Sequence, residues 1–140
     1  MGILYDQGFN SGFAEILLTA NSATPAIGSA ATAADSFGLS SLEKVSGTTG
    51  SQQISIIGIN LTINGGGLLT LYPDDQNSDD NDIMTLSGNG SWGVGAHHVG
   101  FANIKPLADK GIRIVGSGTV NGYTVIIKIK KDAGFGNIQT

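Results

Sequence analysis

The fold of this chain is decided by residues 111–131, which read GIRIVGSGTVNGYTVIIKIKK. Two runs rich in β-branched residues flank the pair Asn121-Gly122. Asn and Gly both tolerate the positive φ angles of a two-residue type I′ turn, so this pair predicts a β-hairpin with Val120 opposite Tyr123. Apolar residues continue on both faces after the turn, which predicts a strand that is partly covered on both sides.

A second clear strand signal lies within residues 54–72. Ile57, Ile59, Leu61 and Ile63 alternate with small or polar residues, which is the period of a half-buried strand. Shorter apolar runs elsewhere bring the expected total to about six to eight strands, separated by turn residues. The sequence therefore predicts an all-β fold, either an antiparallel β-sandwich or a jelly-roll-like domain.

The first part of the chain differs in composition from the rest. Residues 20–34 are mostly Ala, Ser, Thr and Gly, with no amphipathic period. Residues 20–50 as a whole are predicted to form a long, weakly structured segment, which argues against a self-contained monomer. This segment is either an arm that orders against a partner or a disordered region. We therefore expect two parts: an extended, weakly structured N-terminal arm and linker over residues 1–53, and a β-sandwich domain over residues 54–140.

The charge and cysteine content argue against several classes of function. The 140 residues include 7 basic and 11 acidic side chains, for a net charge of −4, whereas a nucleic-acid-binding face needs clustered Lys and Arg. The absence of cysteine removes disulfides, thiolate metal sites and cysteine nucleophiles. No run approaches the about 18 apolar residues of a membrane span, and the first residues lack a signal-peptide pattern. We expect a soluble protein without nucleic-acid or membrane partners.

Three stretches look like chemical motifs, but each has a simpler interpretation. Residues 88–93, GNGSWG, have the spacing of a dinucleotide-binding loop, yet no helix opening follows. His97 and His98 are the only histidines and, as neighbours in a strand, they would point to opposite faces. The aspartate-rich loop 74–82 has oxygen ligands that suit Ca²⁺ but lacks the EF-hand spacing, so calcium binding there stays open.

The sequence contains no recognisable nucleophile–base pair, paired catalytic carboxylates or phosphate-binding loop. We therefore expect no enzymatic activity, no catalytic residue, no cofactor and no metal site, with calcium binding at the loop 74–82 left open. The residues expected to contact a partner are apolar side chains near the N-terminus and two residues of the glycine-rich region: Phe9, Phe13, Ile16, Leu17, Trp92 and His97.

An ordered set of short features runs through residues 54–131. It comprises Gly67–Asp74 (GLLTLYPD), a short apolar strand at Ile83–Leu86, Phe101, and Lys110–Ile114 (KGIRI), followed by a Gly-Ser-Gly turn and a last strand rich in Thr, Val and Ile. In this order the features resemble a group of small virion structural proteins of tailed bacteriophages. That group includes the capsid decoration or cement proteins and the head-fibre-type proteins, which are small β-domains rich in Gly and Thr.

The resemblance implies a phage capsid decoration or cement protein that forms a homo-oligomer, often a trimer. Such a protein is assembled in the host cell cytoplasm and resides in the virion, where it binds the major capsid protein or another virion protein. The expected mechanism is stabilisation of the shell through the N-terminal arm and through β-augmentation at a strand edge. The alternative is a carbohydrate- or host-surface-binding module of a virion appendage, in which Trp92 and Tyr72 stack on a sugar. The long region 1–53 and the extended hairpin expected at Asn121-Gly122 depart from the family pattern.

Overall fold

The computed structural model describes residues 2–20, 35–73, 84–92, 107–108, 111–117 and 120–137. Within these residues the chain forms ten β-strands and one short 3-10 helix, Leu39–Ser41. In chain order the strands are β1 (Gly2–Asp6), β2 (Phe13–Ala20), β3 (Asp35–Gly38), β4 (Gln53–Gly65), β5 (Leu68–Pro73), β6 (Met84–Ser87), β7 (Gly90–Trp92), β8 (Leu107–Ala108), β9 (Gly111–Ser117) and β10 (Val120–Ala133).

The strands form two sheets. The six-stranded sheet has the order β1-β2-β10-β4-β7, with β8 also pairing with β4, and the four-stranded sheet has the order β3-β9-β5-β6. Every pairing between these strands is antiparallel. The predicted all-β, antiparallel class is therefore confirmed, and the finer assignment to a sandwich or a jelly roll stays a prediction.

One antiparallel ribbon runs through both sheets. β4 pairs with β10 in the first sheet, and β5 pairs with β9 in the second. The first ladder ends with Gly65 opposite Val120, and the second begins with Leu68 opposite Ser117. The strands β4 and β5 therefore join at a corner between the two sheets. Gly65 and Gly67 have φ angles of 89° and 118° there, which glycine adopts without a Cβ clash.

The predicted hairpin at Asn121-Gly122 is wrong. β9 and β10 belong to different sheets, and the Asn-Gly pair lies inside β10. Val120 pairs with Gly65 and Gly122 pairs with Asn64, which leaves Asn121 as the extra residue of a β-bulge. The residues that follow pair with β2 and β4 rather than with β9, so the Asn-Gly pair bends a strand near the corner instead of reversing the chain.

Side chains from both sheets form one hydrophobic core. Alternate residues of the two long strands point into it, as expected for the two-residue period of a strand. Burying a large aliphatic side chain stabilises the fold by about 1.5–3 kcal/mol. The core residues of the ribbon with 4% exposure or less include Ile54, Ile56, Ile59 and Leu61 of β4, Leu69 and Leu71 of β5, Ile112 and Ile114 of β9, and Val125, Ile127 and Ile129 of β10.

The described part of the predicted arm belongs to the sheets. β2 pairs with β10 from Phe13 to Ala20, and β3 pairs with β9. Ala14, Ile16 and Leu18 of β2 are buried in the core, each at 0% exposure. For residues 2–20 the expectation of a weakly structured arm is wrong, because the strand satisfies its backbone groups on β10 and buries one apolar face. The domain boundary after residue 53 stays a prediction, although strand pairing joins the two sides of it.

Candidate functional site

The strand β1 lies at the edge of the six-stranded sheet and exposes three consecutive large apolar side chains. Ile3 is 40% exposed, Leu4 50% and Tyr5 39%. Within the described residues, no strand pairs with the outer edge of β1. Unpaired backbone groups beside exposed apolar side chains make such an edge a surface on which another protein can bind. We call Ile3, Leu4 and Tyr5 on this strand the β1 edge.

A bulge determines the kind of contact that the β1 edge supports. The pairing of β1 with β2 passes from Ile3 opposite Ile16 to Tyr5 opposite Glu15, which leaves Leu4 as an extra residue. A bulge interrupts the regular spacing of outward N–H and C=O groups, and it is one means by which edge strands avoid long ladders with other chains. The β1 edge is therefore better suited to side-chain contact, with short backbone pairing at most, than to an extended β-augmentation.

Tyr5 adds a neutral, amphipathic group to this edge. Partial burial raises the pKa of its hydroxyl above the usual 10.0, and the negative charge of Glu15, which lies opposite Tyr5 on β2, raises it further. The phenol therefore stays uncharged at neutral pH. From Gly2 to Tyr5 the strand contains no charged side chain, so a partner meets only apolar and neutral polar groups there.

The strand β1 ends in a buried ion pair between Asp6 and Lys131. Their side chains are 6% and 0% exposed, respectively. Lys131 Nζ donates to Asp6 Oδ1, to the Gln7 carbonyl oxygen at 2.6 Å and to the Glu43 carbonyl oxygen at 2.7 Å, so each of the three ammonium protons has an acceptor. Asp6 Oδ2 accepts the Glu43 backbone N–H at 2.6 Å. We call these four residues the Lys131 latch.

The loop between β1 and β2 is held against the C-terminal end of β10 by further contacts. The Asn10 side-chain oxygen accepts the Phe135 N–H at 2.9 Å, and the Asn10 N–H donates to the Gly136 carbonyl oxygen at 2.7 Å. The Ser11 N–H donates to the Lys131 carbonyl oxygen at 2.7 Å. The buried Phe135 ring lies with its centroid 4.7 Å from Lys131 Nζ, a cation–π distance. Residues 2–20 are thus fixed to the rest of the chain along β2 and at the loop.

The N-terminal residues predicted to contact a partner occupy different environments. Ile16 is fully buried in the core of its own chain, so its side chain is not on the surface. Phe13 and Leu17 are half-buried on the outer face of β2, and Lys128 Nζ lies 5.7 Å from the centroid of the Phe13 ring. Phe9 is half-buried in the loop between β1 and β2. Phe9, Phe13 and Leu17 therefore lie on the N-terminal hairpin whose outer strand is the β1 edge.

The other predicted residues lie at the opposite edge of the six-stranded sheet or outside the described residues. Trp92 ends β7, where its backbone pairs with Ile59 of β4. His97 and the loop 74–82 lie outside the described residues. Among the residues that the structure describes, no three His, Asp or Glu side chains cluster in a way that would hold a metal ion.

Sequence reasoning missed both the β1 edge and the Lys131 latch. For the latch a signal was present: Val125, Ile127, Ile129 and Lys131 share one face of β10 by simple alternation, and the first three are core residues. A lysine at the next inward position requires a buried partner. For the edge, the apolar run before Asp6 was visible, but its exposure depends on the order of strands in the sheet.

Comparison of the chain with protein-family models, with curated proteins and with solved structures found no match. In the part of the chain that the structure describes, no helix is both long and apolar enough to cross a membrane.

Proposed function

We propose that this protein is a non-enzymatic structural protein that self-associates and binds a larger protein shell through the β1 edge. The observation that supports this proposal most strongly is the set of three adjacent apolar side chains, 39–50% exposed, on a sheet edge. Isolated exposed apolar residues are common on proteins, whereas three in sequence on an edge strand favour a protein contact. From the resemblance of residues 54–131, we further propose that the shell is a phage capsid and that the protein is of the decoration or cement class.

The β1 edge would form the apolar centre of a larger interface. Specific protein interfaces bury roughly 1,200–2,000 Å² in total, which three partly exposed side chains do not provide alone. The half-buried Phe13 and Leu17 on the outer face of β2 extend the apolar surface next to it, since Leu17 lies opposite Gly2, which has no side chain to cover it. Burial of this surface in the assembly would stabilise the assembled state by mass action.

The experiment that tests self-association is light scattering on the purified full chain and on Leu4→Asp. We expect an oligomer for the unmodified chain and a shift towards the monomer mass for Leu4→Asp, because a carboxylate at the centre of an apolar contact loses its hydration. Thr62→Asp is the matched control, since Thr62 is exposed on β4 of the same sheet and lies outside the β1 edge. Both variants should keep the folded stability within about 0.5 kcal/mol, as surface substitutions usually do.

Two results of that experiment would contradict the proposal. One is an unmodified chain that remains monomeric at every concentration, a result that would favour the alternative function as a carbohydrate- or host-surface-binding module. The other is an oligomer whose mass is the same in Leu4→Asp as in Thr62→Asp.

The place in a virion is tested separately, by mass spectrometry of purified phage particles from the source of this sequence. We expect the chain in the particle fraction, and its confinement to the particle-free fraction would overturn the virion assignment.

A further inference from the structure

Described residues of β10 and of the segment that follows it form a specific binding site for the N-terminal hairpin, residues 2–20. The site has three parts: the edge of β10 from Tyr123 to Lys130, the Lys131 ammonium, and the backbone groups of Phe135 and Gly136. The first part requires an eight-residue strand with one apolar face. The second requires a carboxylate, because a buried ammonium without a counter-charge is strongly unfavourable. The third requires a side-chain oxygen that accepts the Phe135 N–H and a backbone N–H that donates to the Gly136 carbonyl oxygen.

Only a narrow class of segments satisfies these three requirements together. Asp6, Asn10 and the strand beginning at Phe13 provide the carboxylate, the amide and the apolar strand in the right order. The chemistry of the site therefore selects residues 2–20 of this protein, whether they come from the same copy or from another copy.

Residues 2–20 are also held together as a unit by their own contacts. β1 pairs with β2 from Gly2 to Asp6. In the loop, the Gln7 N–H donates to the Phe13 carbonyl oxygen at 2.9 Å, and the Gln7 side-chain oxygen accepts the Phe13 N–H at 2.8 Å. Because these bonds lie within the hairpin, they are retained whichever copy the hairpin binds.

The connection to the rest of the chain is long enough for either arrangement. Fourteen residues, 21–34, join β2 to β3, and none of them is charged. A chain of that length extends to at most about 50 Å, compared with a radius of gyration of about 14 Å for a domain of this size. The length of the connection therefore permits the hairpin to reach a neighbouring copy.

We propose that the N-terminal hairpin is exchanged between copies of this chain, so that the β10 edge and Lys131 of one copy bind residues 2–20 of another. In the unexchanged form the hairpin binds its own copy, and in the exchanged form it binds another copy. Both forms contain the same contacts, as in other domain-swapped assemblies, and they differ mainly in the entropy of the connection. A connection of this length gives its own hairpin an effective concentration on the order of millimolar. Exchange is therefore favoured where copies are crowded to comparable concentrations, as they would be on the proposed shell. This inference goes beyond the proposed function, since the β1 edge is exposed in both forms.

The test uses the double variant Thr19→Cys/Thr124→Cys. The two residues lie directly opposite each other on β2 and β10, both are exposed, and the chain has no other cysteine. The variant is unfolded and refolded at micromolar and at millimolar concentration, its thiols are joined with a short bis-maleimide, and the products are separated on a denaturing gel. An unexchanged hairpin gives a cross-link within one chain, whereas an exchanged hairpin joins two chains covalently.

We expect mainly cross-linked monomer after refolding at micromolar concentration. After refolding at millimolar concentration we expect covalent dimers and longer chains, amounting to tens of per cent of the protein given comparable effective concentrations. The single variants Thr19→Cys and Thr124→Cys measure cross-linking by random collision, which yields dimers at most. Cross-linked monomer alone at both concentrations, with the thiols consumed, would overturn the exchange. If light scattering still shows an oligomer that Leu4→Asp dissociates, only the exchange has failed and the proposed function stands.

Discussion

The two strands of the N-terminal hairpin have the same antiparallel geometry and opposite surroundings. On β2, Ile16 and Leu18 are 0% exposed, whereas on β1, Leu4 is 50% exposed. β2 lies between two strands and buries one face in the core, while among the described strands β1 has a neighbour on one side only. The hairpin is therefore attached to the molecule through β2 and through the Lys131 latch, and it presents β1 outwards. Residues that hold the hairpin are thus separated from residues that are available to a partner.

The largest loss in the free energy of unfolding is expected from Lys131→Ala, which breaks the Lys131 latch. The substitution leaves the Asp6 carboxylate buried without its counter-charge, and the carbonyl oxygens of Gln7 and Glu43 lose a donor. Removing one partner of a buried ion pair costs about 3–5 kcal/mol. Urea denaturation should show a loss of this size in the free energy of unfolding.

The matched control for this prediction is Lys130→Ala. Lys130 is the preceding residue of the same strand and is exposed, so its removal should change the free energy of unfolding by about 0.5 kcal/mol or less. Equal effects of the two substitutions would show that the latch does not hold the hairpin.

The next largest effect is expected from the inner face of β2. Ile16→Ala removes a fully buried side chain from the core and should lower the free energy of unfolding by about 2–5 kcal/mol. Leu17→Ala removes a half-buried side chain from the outer face and should cost about 1 kcal/mol or less. Both values come from the same denaturation experiment. A larger loss for Leu17→Ala than for Ile16→Ala would reverse the assignment of the two faces.

The smallest change in folding stability is expected at alkaline pH, where the Tyr5 phenol ionises. Its pKa in the folded chain is raised above 10.0 by partial burial and then by Glu15, so folding favours the protonated phenol. The stability gained in this way is fully present below the unfolded-state pKa and is lost as the pH rises through the folded-state pKa. Tyr5→Phe should therefore lose less stability than the unmodified chain when the pH is raised past about 10. If the free energy of unfolding depends on pH identically in Tyr5→Phe and in the unmodified chain, Tyr5 does not cause the loss of stability at alkaline pH.

The strand content of this molecule was predictable because it follows from local alternation. Ile59, Leu61 and Ile63 of β4 point inwards as their period predicts. The hairpin at Asn121-Gly122 was not predictable in the same way, since a bulge and a turn use the same residues. Pairing with Asn64 and Gly65, more than fifty residues earlier in the chain, determines which of the two forms.

The candidate site was only partly predictable for a related reason. The apolar character of the N-terminal region pointed to a partner contact, but the residues chosen were those of β2 and the loop. Whether Ile16 or Leu4 is exposed depends on which strand of the hairpin lies next to β10. The order of strands in a sheet is a long-range property, and alternation within one strand does not determine it.

The central claim is that β2 binds its own fold while β1 is open to a partner, and amide hydrogen exchange of the full chain tests it most directly. Exchange is followed by mass spectrometry at low and at high protein concentration, and the peptides that cover β1 and β2 are compared. We predict that β2 is protected at both concentrations. The backbone N–H groups of β1 that point away from β2 should exchange fast in dilute solution and become protected as the protein associates. Protection of β1 that does not change with concentration, or exchange of β2 as fast as that of β1, would contradict the account.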